Sequence, residues 1–243
     1  MDVDVVDGVT TIRLNRPPVN ALDLEVAEAV VDTMGHLQGP VVISGGGSCF
    51  SAGVDLPAVL DGGTEYVERF ITVAGAAFRA LFDYPGPVVA AVNGHAIAGG
   101  CVVAMCADVR LMSVGRIGLT ELAVGVPFPV PALEICRHAM GPSVTRAALQ
   151  GNVIDAESAL ARGWIDEIVP AAELLDRAVA LARELGQHSP DAYAVTKAQL
   201  HRPARAAIDA GAADDAEVRA YWTSGQARTR ITAFMDALGQ ARR

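Results

Sequence analysis

Lysine is nearly missing from this chain. Among 243 residues there are nineteen lysines and arginines, and Lys197 is the single lysine. The arginines form no block, and twenty-eight acidic residues leave a net charge of −9. The concentrated basic surface of a nucleic-acid binder is therefore excluded. Arginine in place of lysine reads as compositional bias, not as a binding device. Cysteine is scarce too. Cys49, Cys101, Cys106 and Cys136 show no CxxC or Cys/His ligand spacing, so small buried thiols are expected, with structural zinc the lesser alternative. No metal site is assigned. The opening MDVDVVDG lacks the basic-then-apolar pattern of a secretion signal.

Charge is missing from residues 84–107, a run of 24 positions and long enough to span a bilayer. Asn93-Gly94-His95 cuts the run in its middle, and Gly99-Gly100 interrupts it again. A buried strand followed by a buried helix is the better reading. The chain is expected to be soluble and cytoplasmic, without a membrane or nucleic-acid partner. Three nucleotide and nucleophile motifs are also lacking. Gly45-Gly46-Gly47-Ser48-Cys49-Phe50 does not complete GxGxxG, no Gly-Lys-Ser/Thr exists, and no GxSxG exists. Dinucleotide, P-loop and serine-elbow readings fall with them.

What is present is apolar mass, 51% hydrophobic against 19% charged, enough for a large core and too much for a disordered chain. Val9–Leu14 reads as a strand closed by Asn15-Arg16-Pro17-Pro18. Asp23 is placed to cap a helix running to about Leu37. Short apolar strands follow at 41–44 and 88–92, with further ones at 109–112 and 117–119. Helices are expected over 65–82 and 99–107, and a glycine-rich loop runs from Gly45 through Leu56. From about Pro129 onward, segments 129–139, 143–150, 155–162, 171–187, 190–199, 205–222 and 225–238 read as helices. Strands that are apolar throughout, separated by helices, argue for an α/β fold with a parallel sheet buried on both faces. Residues 1–243 are taken as one domain, a βα core over about 1–190 and a helical C-terminal region over about 191–243.

Two loops carry the chemistry. In Ser48-Cys49-Phe50-Ser51-Ala52-Gly53-Val54-Asp55-Leu56, small residues let a backbone N–H approach a ligand closely. In Asn93-Gly94-His95-Ala96-Ile97-Ala98-Gly99-Gly100-Cys101, glycines at a helix start leave N–H groups free at the positive end of the helix dipole. One N–H from each loop can form a hole for a developing oxyanion. FSAGVDL, then VNGHAIAGGC some forty residues on, then ADVRL together resemble the crotonase (enoyl-CoA hydratase/isomerase) superfamily. The resemblance runs from IRLNRPPVNAL to ARGWIDEIV at 161–169, roughly two-thirds of the chain.

That resemblance implies a crotonase-like ββα-repeat core with a helical C-terminal oligomerisation region, assembled as a homotrimer or a dimer of trimers. It implies a CoA thioester as substrate and no further cofactor. The oxyanion donors become the Val54 and Gly99 N–H groups, with Ala52, Asp55 and Leu56 lining the CoA side. Hydratases of the family hold a water between two glutamates. The first position is Val102 here, the second is Glu121, and a carboxylate found in other branches is replaced by Pro129. A single retained glutamate resembles the mitochondrial type of Δ3,Δ2-enoyl-CoA isomerase, as do Pro17-Pro18-Val19-Asn20, Ala98–Ala104 in the form AGGCVVA, and Ile117-Gly118-Leu119-Thr120-Glu121.

The chemistry agrees with that assignment. Moving a double bond from C3 to C2 takes a proton from C2 and returns one to C4, which one base can do. Adding water asks for two carboxylates. An apolar pocket should raise the pKa of Glu121 and suit it to proton transfer. Without the family match, Glu121 would read as a surface-loop glutamate. Alternatives are a hydratase working through Glu121, a non-catalytic acyl-CoA-binding homologue, and another reaction of the same oxyanion hole, such as decarboxylation or thioester hydrolysis. His95 reads as a packed histidine. Lys197 reads as a solvated cation, with a CoA phosphate contact the lesser reading. Glu134 and Arg137 form a surface pair, and Asp155, Glu157 and Asp166 are capping and surface charges. Phe128 fits an acyl pocket or the core equally well.

Overall fold

A hairpin opens the chain: β1 (Asp2–Val6) pairs antiparallel with β2 (Val9–Leu14). Its turn residues Asp7 and Gly8 have φ of 51° and 78°, the left-handed values that match the twist of a two-residue hairpin. The elements that follow are α1 (Leu24–His36), β3 (Val41–Gly45), β4 (Cys49–Ser51), α2 (Leu56–Phe82), β5 (Val88–Val92), β6 (His95–Ile97), α3 (Gly99–Met105), β7 (Val109–Met112) and β8 (Arg116–Gly118). The second half holds α4 (Glu121–Val124), α5 (Val130–Met140), α6 (Val144–Gln150), β9 (Val153–Asp155), α7 (Ala156–Ala161), β10 (Glu167–Ile168), α8 (Leu174–Leu185), α9 (Pro190–Ala210), α10 (Ala212–Trp222) and α11 (Gly225–Ala241). The computed structural model describes residues 1–241, so the last two residues of the expected helical region lie outside it.

Six strands form one sheet in the order β1-β2-β3-β5-β7-β10, parallel from β2 onward. Four more form a second sheet, β4-β6-β8-β9, with β9 antiparallel to β8. The central strands explain why the sequence reads as apolar without alternation. Val41, Ile43, Val88, Ala90 and Val92 face a large core shared with α1, α2 and α3. Val42, Val89 and Ala91 face a second core built with α8. Successive side chains of a strand point to opposite faces, and here both faces are covered.

Local signals place the helices. Asp23 accepts from Val26 N–H at 2.9 Å and starts α1. Asp55 does the same for α2, accepting from Ala58 N–H at 3.0 Å. Helix α2 therefore begins at Leu56, well ahead of the expected 65, and passes its glycines through a kink at Gly63 (φ 73°, ψ −178°). Helix α9 runs unbroken through Pro203 where the sequence suggested a gap at 200–204, and the break comes at Gly211. The charge-free run 84–107 is divided among β5, β6 and α3, and among the described residues no helix is long and apolar enough to cross a membrane.

Candidate active site

The first loop is held by a buried asparagine. Asn20, 2% exposed with φ 52°, donates through Nδ2 to Cys49 O at 2.7 Å and Gly46 O at 2.9 Å. Ser51 Oγ donates to Asn20 O at 2.7 Å and accepts from Gly53 N–H at 3.1 Å. Leu22 and Val54 then form an isolated parallel bridge, in which Leu22 N–H donates to Gly53 O and Asp55 N–H donates to Leu22 O. Those bonds occupy the groups on either side of Val54. The Val54 N–H itself has no acceptor among the described residues.

The second loop reaches the same place. Ala98 takes φ 50°, ψ −122°, a conformation an L-residue holds only under strain of roughly 1–3 kcal/mol. Its N–H donates to Gly118 O at 2.8 Å, and the first bond inside α3 is Val102 N–H to Ala98 O at 3.0 Å. The N–H groups at the start of α3, Gly99 included, are left open. Close approach explains the glycines. A Cβ on Gly100 would lie 2.3 Å from Ser51 O, and one on Gly53 (φ 84°) would lie 2.7 Å from Ile97 O.

Beneath the two loops is a narrow apolar cavity of about 40 Å³, room for roughly three water-sized groups. Val54, Gly99, Val102, Pro129 and Glu121 line it, together with the inner stripe of α2 from Phe70 to Leu81 and Trp222 of α10. Glu121 is the one ionisable side chain among the residues lining it. It opens α4, is 7% exposed, and its Oε2 is buried with no hydrogen-bond partner. Burial pushes its pKa up from 4.5 to about 7, against a smaller downward pull from the Glu121 and Thr120 backbone N–H groups. This arrangement offers free backbone donors and one buried carboxylate of raised pKa in an apolar space.

The structure brings Val54, Gly99, Val102, Glu121 and Pro129 together, and leaves other candidates outside. Ala52, Asp55 and Leu56 do not line the cavity. The Asp55 carboxylate is engaged in capping α2 and in an ion pair with Arg16 at 3.3 Å. Phe128 is buried in the core and does not reach the cavity. His95 is exposed, with its backbone oxygen accepting from Cys49 Sγ. Glu134 and Arg137 pair at 3.1 Å, Asp155 caps α7, and Asp166 pairs with the buried Arg110 at 3.1 Å. All four cysteines are buried free thiols.

Lys197 corrects the sequence reading. It is no solvated cation: it is 6% exposed, 2.8 Å from Asp108 Oδ2, and donates to Gly86 O at 3.1 Å. Trp222 is, with the inner stripes of α1 and α2, among the cavity-lining residues that the sequence reading missed. It sits a hundred positions downstream of Glu121 at the end of α10, and no local motif marks it.

Comparison with known proteins identifies the family. Residues 4–239 match the family model described as enoyl-CoA hydratase/isomerase. A putative enoyl-CoA hydratase of Thermus thermophilus is 32% identical over 202 residues, covering 79% of this chain and 80% of that protein. The crystal structure of a probable enoyl-CoA hydratase of Mycobacterium tuberculosis is 31% identical with a TM-score of 0.81, over 86% of this chain and 92% of that one. The human mitochondrial Δ3-Δ2-enoyl-CoA isomerase superposes with a TM-score of 0.92 over 99% of this chain and 98% of that one. At 22% identity it speaks for the fold. A crotonase fold, a family match along nearly the whole chain, and two loops that meet over a buried glutamate lead to one conclusion: the chain belongs to the enoyl-CoA hydratase/isomerase family.

Proposed function

We propose that the protein isomerises Δ3-enoyl-CoA to Δ2-enoyl-CoA. One observation carries this reading: the cavity under the two loops contains a single carboxylate, Glu121, and an apolar Val102 where a water-holding partner would be needed. In this mechanism the thioester carbonyl oxygen accepts from the Val54 and Gly99 N–H groups, which stabilise the enolate as it forms. Ionised Glu121 removes a proton from C2, the electrons shift toward the carbonyl, and the protonated carboxyl returns the proton to C4. The unpartnered Oε2 leaves an oxygen free for that exchange. Ala52, Asp55 and Leu56 are assigned to the CoA side of the loop, with Asp55 acting through its cap and its pair with Arg16. No cofactor beyond the substrate's own CoA enters the reaction. The same reading makes the protein a cytoplasmic homotrimer or dimer of trimers, which sedimentation would test.

A hydratase is the second reading, favoured by the relatives at about 32% identity, which are described as enoyl-CoA hydratases. Chromatography and mass spectrometry of products from a 3-enoyl-CoA and, separately, from a 2-enoyl-CoA separate the two. Conversion of the 3-enoyl-CoA to a conjugated 2-enoyl-CoA, recognised by its retention and enoyl-thioester absorbance at unchanged mass, supports isomerisation. A product of the 2-enoyl-CoA heavier by one water, with the 3-enoyl-CoA untouched, means hydration. Both substrates unchanged despite acyl-CoA binding would leave a binding protein.

A further inference from the structure

The apolar stripe of α2 does not stop where the active-site cavity stops. Phe70, Ile71, Ala74, Ala77, Phe78 and Leu81 line the cavity. Over the three turns before Phe70, Val59, Leu60 and Val67, with the exposed Gly63 and Thr64, line a second cleft of about 120 Å³ against the α10–α11 junction, where Thr223, Ser224 and Arg228 add polar groups. Trp222 belongs to both walls. It is 4% exposed, and its indole is fixed by Nε1–H donating to Pro127 O at 2.9 Å. Arg228 closes the far side of the cleft by donating to Leu60 O at 2.6 Å. The kink at Gly63 lies in the wall of this cleft.

We infer that Trp222 is the stop that limits acyl-chain length, and that the cleft behind it is a closed-off extension of the acyl site. The inference rests on the acyl-CoA reading above and adds the substrate class: short acyl thioesters, whose tails fit the roughly 40 Å³ under the loops. Val67, Val59 and Leu60 of α2, with Ile231 of α11, give a longer tail an apolar wall in the cleft once the indole is removed. Each methylene that gains burial there tightens binding about fourfold.

The test is calorimetric titration with saturated acyl-CoA esters from butanoyl to dodecanoyl, which bind without turnover. The wild-type protein is expected to prefer the short esters. Trp222→Ala should improve dodecanoyl-CoA binding by about tenfold or more relative to butanoyl-CoA, and Trp222→Leu should move part of the way. Trp222→Phe, which keeps the ring, should retain the wild-type profile. Adding Thr64→Trp, at an exposed position on the cleft wall, to Trp222→Ala should cancel the gain. Dodecanoyl-CoA binding as tight as butanoyl-CoA in the wild type, or an unchanged profile in both Trp222→Ala and Trp222→Leu, would overturn the inference. Absence of any acyl-CoA binding by the folded wild-type protein would overturn the functional reading itself, and this inference with it.

Discussion

Lys197 Nζ lies 2.8 Å from Asp108 Oδ2, and the pair ties α9 to the start of β7. The inner stripe of α9 reads Lys197, His201, Ala204, Ile208, so a charge stands where a surface helix ordinarily buries a leucine. Asp108 Oδ2 also accepts from Val88 N–H at 2.8 Å and from the Tyr193 hydroxyl at 3.2 Å. The carboxylate is shared by a strand and a helix. Lys197→Met removes the cation from that half-buried carboxylate and leaves it only the Val88 and Tyr193 donors, and unfolding free energy should fall by about 1–3 kcal/mol in urea titration. Lys197→Met with Asp108→Asn should recover part of the loss. Equal stability of the single variant and the wild type would mean that the pair contributes nothing.

Gly53 sits where no other residue fits. Its φ is 84°, and a Cβ would approach Ile97 O to 2.7 Å and Gly99 N to 3.1 Å. Gly53→Ala must push the two loops apart and move the Val54 N–H from its position beside Gly99. On the proposed mechanism kcat should fall by about 10²–10³, with a further roughly 1–2 kcal/mol lost from stability through the left-handed backbone. Kinetics on protein shown to be folded by circular dichroism would check this, and wild-type turnover would remove Val54 from the oxyanion hole.

His201 makes stability depend on pH from the acid side. Its ring stacks on Phe82 at 3.8 Å with His138 edge-on at 4.7 Å. Burial holds its pKa down from 6.5 to about 4, helped by the positive charges of His138, Lys197 and Arg205 and opposed by the Phe82 backbone. A depressed histidine means that the unfolded chain binds the extra proton. Its contribution is complete above about pH 6.5 and is lost as pH falls toward 4. Thermal melts of His201→Phe should show less decline than the wild type across that window.

Much of this was legible from residue patterns, and the failures have physical causes. The strands at 88–92 and 41–44 were readable because burial on both faces leaves an uninterrupted apolar run. The two loops were readable because close backbone contact demands glycine at fixed places. Strand β1 was not proposed, since all five of its residues are exposed and its pattern is set by the Asp7-Gly8 turn. The helical spacing starts at 65 in the sequence, yet α2 starts at Leu56 because Asp55 caps it there and Gly63 supplies a kink that the helix continues through. The burial of Lys197 and the place of Trp222 depend on how distant helices pack, and spacing along the chain carries no trace of that.

Glu121 should set the pH dependence of the reaction. With its pKa raised to about 7 by burial, the carboxylate is ionised only above that value, and the base form is the one that removes the C2 proton. On the proposed mechanism kcat/KM should rise about tenfold per pH unit below 7 and level off above it. Stability should run the other way. The folded state holds the proton more tightly than the unfolded chain, so this stabilisation is complete below about pH 4.5 and lost as pH rises through 7. Between 4.5 and 6.5 it opposes the trend from His201. Glu121→Gln keeps the shape and removes both effects: turnover should drop by about 10²–10⁴, while the protein at pH 8 should melt at a higher temperature than the wild type. An active Glu121→Gln variant with an unchanged pH profile would show that another group carries the proton.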